Sequence, residues 1–230
     1  IARALIDPNR YPEDLSNPDG PVKLKTSYGR AIYRETIDYR LQQSLLEHYW
    51  RAYHLELHAA LQNNASRMKL FLDCHSMAQR GPTAYDYPGA VRPLICLSNN
   101  GDARGEPVAN CGPTSCSGEF IRAAAQIAAE LFEGMPLVEP TPGVTPPAAA
   151  INWPFRGGFI VEQYLRPDYL AYGVAGNGMT RAPAMLVEVN RGLFVGDQVA
   201  DTPMQPPDHA RIAEVRKRLY QWATRVVALL

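Results

Sequence analysis

Two hydrophobic periods run through this chain. Met68, Leu70, Phe71 and Leu72 make a short apolar run broken by polar positions, which predicts a buried strand over residues 68–74. Ile37, Leu41, Leu45, Tyr49, Ala52 and Leu61 recur near multiples of a helical turn. They predict a long helix from about Tyr33 to Ala65, ended by "NNAS". Ser117 reads as the N-cap of a helix running to about Glu133, with Gly134 and Pro136 as its stop. A last helix is expected from about Pro207 to Leu229. "ALID" (4–7), "GGFIVEQYL" (157–165) and "AMLVEVNR" (184–191) read as strands or strand ends. Between them, residues 8–30 are rich in Pro, Asp, Asn and Gly and read as loop, and residues 140–150 read as a Pro- and Ala-rich connection. Residues 78–115 form a long irregular stretch, a kind of segment that is usually functional or mobile. Strands alternating with helices predict an α/β fold with a mixed or parallel sheet.

Composition narrows the function classes. Lys plus Arg number 23 and Asp plus Glu number 23, so the balanced charge argues against nucleic acid as the main partner. The aromatic residues are not interleaved with basic ones as a base-stacking platform requires. No apolar run approaches the roughly 18 residues of a membrane span, and no signal peptide is visible. Four cysteines are too few for a disulfide scaffold. Cys111 and Cys116 ("CGPTSC") are the nearest pair, but a zinc knuckle wants a closer pair and a second one, so reduced thiols of a cytosolic enzyme are expected.

Chemistry collects at strand ends. The strand at 68–74 runs into Asp73, Cys74, His75 and Ser76, and strand ends in open α/β sheets are where ligands bind. His75 is a metal ligand, a base or a polar cap. Asp73, two residues earlier, leaves the same face of the strand and is placed to orient the imidazole. Glu188 lies in an apolar strand, where it is either a general base with a raised pKa or a residue on the solvent face. Asn9 and Arg10 follow a strand directly, and an arginine fork suits a carboxylate. Arg156 precedes two glycines that permit close backbone approach. His54 and His58 are four apart on the long helix, but Glu56 is misplaced for a zincin motif; His54 is retained as a candidate and His58 is not. No G-x-S-x-G elbow surrounds Ser76, and no G-x-G-x-x-G or P-loop is present.

Taken in order, "LIDPNRYPED", "YHLELHAAL", "LFLDCHSM", "NWPFRGGFIVEQY" and "MLVEVNRGLF" resemble the N-formylglutamate amidohydrolase family, and "GPTSC" resembles its loop before a helix. Zinc carboxypeptidases are more distantly similar. The resemblance implies a three-layer α/β/α fold with a mixed central sheet, and zinc-dependent hydrolysis of an N-acyl acidic amino acid, first N-formyl-L-glutamate. It implies His75 as a metal ligand and Glu188 as general base. Asn9 and Arg10 would receive a substrate carboxylate, Arg156 would lie at the substrate end of the pocket, and His54 would belong to the site without a fixed role. The partner implied is a small molecule with a carboxylate, acted on in the cytoplasm in histidine degradation. The family's other metal ligands, a His and an acidic residue, lie before the D-x-N-R segment. The remaining zinc ligands are therefore expected upstream of residue 1, and residues 1–230 are expected to be one hydrolase domain lacking its N-terminal portion. A deacylase or carboxypeptidase with another acyl group, and a silent carboxylate-binding domain, stay open as alternatives.

Overall fold

The computed structural model describes residues 5–164, 182–197 and 206–230. The chain divides into two compact units, Ile1–Met68 with Gly158–Arg181, and Lys69–Gly157 with Ala182–Leu230.

The first unit is helical. Asp38 accepts the Leu41 N–H at 2.7 Å and caps α1 (Tyr39–Leu45). The helix predicted from Tyr33 therefore begins at Tyr39, because an acceptor side chain at the N-cap satisfies a donor that the helix leaves open. A π-helical turn at Leu46–Arg51 leads into α2 (Ala52–Asn64). Leu46, Trp50, Ile6, Leu15, Val22 and Phe159 form this unit's core. The strand expected at 4–7 is not formed at residues 5–7, and residue 4 lies outside the described residues.

The second unit holds the sheet. Its strands are β1 (Phe71–Met77), β2 (Ile95–Ser98), β3 (Ala149–Ile151) and β4 (Ala184–Asn190), in the order β1-β4-β2-β3. β1 runs parallel to β4, β4 antiparallel to β2, and β2 parallel to β3. This is the mixed α/β class expected. β2 and β3 correct the reading of residues 78–115 and 140–150 as without strands. Every residue of β2 is buried, so the strand lacks the alternation by which a half-exposed strand is recognised.

Helices α3 (Gly118–Phe132) and α5 (His209–Val227) cover one face of this sheet. Ile121, Ala124 and Phe132 of α3 and Val215, Trp222 and Val226 of α5 pack with Ile95, Leu97, Met185, Val187 and Val189. Ser117 caps α3 as expected, accepting the Phe120 N–H at 3.2 Å, and Asp208 caps α5. No helix among the described residues is long and apolar enough to cross a membrane.

The segment expected as a strand at 157–165 is instead helix α4 (Phe159–Tyr164), in the first unit. Its β-branched Ile160 and Val161 favour a strand locally. The override comes from Asn9, whose Oδ1 accepts the Ile160 N–H at 2.8 Å and so caps the helix from far along the chain. Gly158 makes room for that cap, because a Cβ there would stand 2.4 Å from Asn9 Nδ2. Gly158→Ala should force Asn9 to swing away and cost about 1–2 kcal/mol, the usual worth of an N-cap. In an Asn9→Ala background the same change should cost almost nothing, since neighbours sharing one interaction are not additive. Thermal melts of the two single variants and the double variant check this.

Candidate functional site

Strand periodicity divides the sheet residues between two faces. On β4, Met185, Val187 and Val189 face α3 and α5, so Leu186, Glu188 and Asn190 take the opposite face. The β1–β4 register pairs Asp73 with Leu186, His75 with Glu188, and Met77 with Asn190. Antiparallel pairing sets Cys96 opposite Glu188 and Ser98 opposite Leu186. One face therefore carries Asp73, His75, Glu188, Asn190, Cys96 and Ser98. His75, Glu188 and Cys96 form a row across three neighbouring strands, each step roughly 4.8 Å.

Glu188 and Cys96 are buried, and His75 is partly buried. Glu188 is 9% exposed, which rules out the solvent-face reading of its strand. The His75 Nε2–H donates to Asp73 Oδ1 at 2.9 Å. In the neutral ring this bond leaves the lone pair on Nδ1. Cys96 is fully buried. Burial, with the Glu188 carboxylate beside it adding to the effect, pushes its thiol up to about 11, so it stays protonated at neutral pH. The Ser98 Oγ–H donates to the Phe155 carbonyl at 2.6 Å, and the Cys96 thiol lies 3.7 Å from the same oxygen. All four cysteines are unbridged, including Cys111 and Cys116.

Loops at the end of β2 are built on asparagines that the sequence reading did not single out. Asn99 Nδ2 donates to the carbonyls of Gly105 and Cys116, each at 2.9 Å, and Asn99 Oδ1 accepts from the Gly101 N–H and from Asn152 Nδ2. Asn152 Oδ1 accepts the Asn99 N–H in return. Asn100 and Asn152 adopt φ of 69° and 53°, which Asn tolerates better than most residues. Gly105, at φ 79°, has no room for a Cβ, which would lie 2.4 Å from Ile121 Cγ2. The "SNNG" and "INWP" stretches were the available signal, since Asn clusters mark turns. Arg156 is exposed. Its Nε–H donates to the Gly101 carbonyl at 3.3 Å, and its own carbonyl accepts the Asn100 N–H.

Asn9, Arg10 and His54 belong to the helical unit. His54 is buried beside Trp50 and Phe159, and its Nε2–H donates to the Pro8 carbonyl at 2.8 Å. The Trp50 indole N–H donates to the Arg10 carbonyl at 3.1 Å. The two rings thus hold the Pro8–Arg10 segment against the helix. Arg10 pairs with Asp19 at 3.1 Å and Asp7 at 3.7 Å, and the Lys23 ammonium reaches both carboxylates. Among the described residues, two cations and two anions meet there. Burial is the largest influence on Lys23 and lowers its pKa, opposed by its bond to Asp19.

A structural test of zinc follows from these donors. Among the described residues no group of three or more His, Cys, Asp and Glu side chains is arranged to hold a metal. A zinc site wants three protein ligands. His75 can be one of them, and the described residues do not complete the set.

Comparison with known proteins agrees with the fold. A family model for N-formylglutamate amidohydrolase matches residues 1–195. Among solved structures the chain is similar to N-formylglutamate amidohydrolase from Ralstonia eutropha JMP134, at 17% identity and a TM-score of 0.62, covering 99% of this chain and 74% of that one. It is also similar to a gene product of Agrobacterium tumefaciens, at 14% identity and a TM-score of 0.56, covering 98% and 68%. No curated protein matches the sequence. At these identities the structural likeness speaks for the fold, while the family match spans most of the chain: it belongs to the N-formylglutamate amidohydrolase family.

Proposed function

We propose that this protein hydrolyses the amide bond of an N-acyl acidic amino acid, with N-formyl-L-glutamate, giving formate and glutamate, as the first substrate. The observation that carries the reading is the pairing of His75 with Glu188 on adjacent strands, with Asp73 bonded to the imidazole. Glu188 is the general base. It takes a proton from the attacking water and returns it to the amine as the C–N bond breaks. The reading includes cytoplasmic location and zinc dependence, with His75 as one zinc ligand and the others outside the described residues. Arg156 lies at the substrate end of the pocket. Asn9 and Arg10 receive a substrate carboxylate, for which Arg10 must exchange part of its pairing with Asp19.

Formate and glutamate release from N-formyl-L-glutamate, set against N-acetyl-, N-succinyl- and peptidyl-glutamates, tests the substrate. Faster turnover of any other acyl group would displace formyl from the reading. Elemental analysis tests the metal. About one zinc per chain is expected, lost in His75→Ala. Stoichiometric zinc that survives His75→Ala would remove His75 from the ligand set.

A further inference from the structure

The sheet ends on β1, and that edge is open. Among the described residues β4 is the one strand paired with β1. The Phe71 N–H donates at 3.0 Å to the carbonyl of Pro183, the residue before β4, so Phe71 turns its main-chain groups inward. Parallel pairing repeats this at every second residue. Phe71, Asp73, His75 and Met77 bond toward β4, and Leu72, Cys74 and Ser76 point their N–H and C=O groups out of the sheet. Among the described residues those three N–H groups meet no acceptor. Their carbonyls receive only the weak contact of Cys74 Sγ with Leu72 O, at 3.9 Å. Cys74 and Ser76 are exposed, and Leu72 is partly so.

Strand edges of this kind pair with other chains unless they are guarded by shortness, by Lys or Pro, or by a bulge. β1 has none of these guards. It is seven residues long, as long as β4. It reads "FLDCHSM", without Lys, Arg or Pro, and it keeps register with β4 from Phe71 to Met77 without a skipped residue.

The strand also matches itself. Two copies related by a twofold axis meet at this edge antiparallel. With the axis at Cys74, the middle residue of β1, Cys74 faces Cys74 of the second copy, and Leu72 faces Ser76. These are the residues whose main-chain groups point outward, so each exchanges N–H···O bonds with its opposite. Between them Asp73 stands opposite His75 of the second copy, acid against imidazole, and Phe71 stands opposite Met77, apolar against apolar. Opposite types across a pair stabilise it and like charges oppose it. Moving the axis by one residue would set Asp73 against Asp73, or His75 against His75. The sequence of the edge therefore favours one register and one occupant.

We infer that the outer edge of β1 is an interaction surface for a second copy of this chain, the two β1 strands pairing antiparallel about Cys74 into one continuous sheet. The inference does not rest on the proposed reaction. Its consequence for the site is that Asp73 of one copy comes beside His75 of the other, where the Asp73–His75 bond of each strand already lies.

Sedimentation velocity over a wide concentration range tests it. A species of twice the 25.5 kDa chain mass should grow with concentration. Ser76→Pro removes an edge N–H that β4 does not use and should raise the dimer dissociation constant by at least about tenfold, because both copies lose a main-chain hydrogen bond. Cys74→Lys, at an exposed position, sets two ammonium groups face to face and should raise it by about threefold, more at low salt. Thermal melts check folding, and should Ser76→Pro not fold, the lysine variant and the two readings that follow decide. Amide hydrogen exchange at Leu72, Cys74 and Ser76 should slow as the concentration rises. A short bismaleimide should join Cys74 of one copy to Cys74 of the other, with the product absent in Cys74→Ser. A chain that stays at 25.5 kDa throughout, a dimer that neither variant weakens, or a dimer without the Cys74-linked product would each overturn the inference. So would exchange at these amides that is slow at every concentration, the result expected where another segment of the chain or a bound peptide covers the edge.

Discussion

Glu188→Gln should lower kcat/KM on N-formyl-L-glutamate by at least about 100-fold, the lower end of what a positioned general base contributes. The amide keeps the size and most of the hydrogen-bonding capacity of the carboxylate, so the loss reports proton transfer and not packing. Glu188 lies between His75 and Cys96, and Cys96 stays a protonated thiol, so neither neighbour on the strands supplies a second carboxylate to take over. The loss should fall on kcat, because the proton moves only in the transition state. Steady-state kinetics at saturating substrate check this. A variant within tenfold of wild type would remove Glu188 from the base's role.

Asn99→Ala is expected to be the most destabilising single change in the loop that follows β2. Its side chain accepts from Gly101 and Asn152 and donates to Gly105 and Cys116, all in a buried setting. An unsatisfied buried partner costs about 1–3 kcal/mol, and relaxation recovers part of the sum. A net loss of about 3–5 kcal/mol follows, a fall in Tm of roughly 6–20 °C for a chain of this size. Differential scanning calorimetry reads it directly. A shift below about 2 °C would mean that water replaces the asparagine without loss.

The helices α3 and α5 and the strand β4 were legible because local signals agreed: a cap at Ser117, a helical stripe, an apolar run. α4 was not, because the residue that caps it, Asn9, is some 150 positions away. β2 was hidden among Pro and Gly in a stretch that reads as loop, and four buried residues carry no period. Placing His75 and Glu188 on strands required only the local pattern. Their adjacency depends on β1 pairing with β4 across more than a hundred residues, which no local pattern encodes. The resemblance to a family supplied that link for the pair.

The loop after β2 also governs how the protein ages. Asn100 is followed by Gly101, the pairing most open to succinimide formation, in which a glycine nitrogen attacks the asparagine side-chain carbon and ammonia leaves. In the folded chain both reactants are held. The Gly101 N–H is engaged by Asn99 Oδ1 at 3.1 Å, and Asn100 Nδ2 donates to the Cys111 carbonyl at 2.7 Å. Folding therefore acts as a preservative, and unfolding exposes a chemical clock. Each excursion from the native state gives that clock time to run, and a chain converted to isoaspartate at position 100 has an extra backbone methylene where the loop needs a left-handed turn. Isoaspartate at position 100 should then accumulate in proportion to the time spent unfolded, even where refolding is otherwise complete.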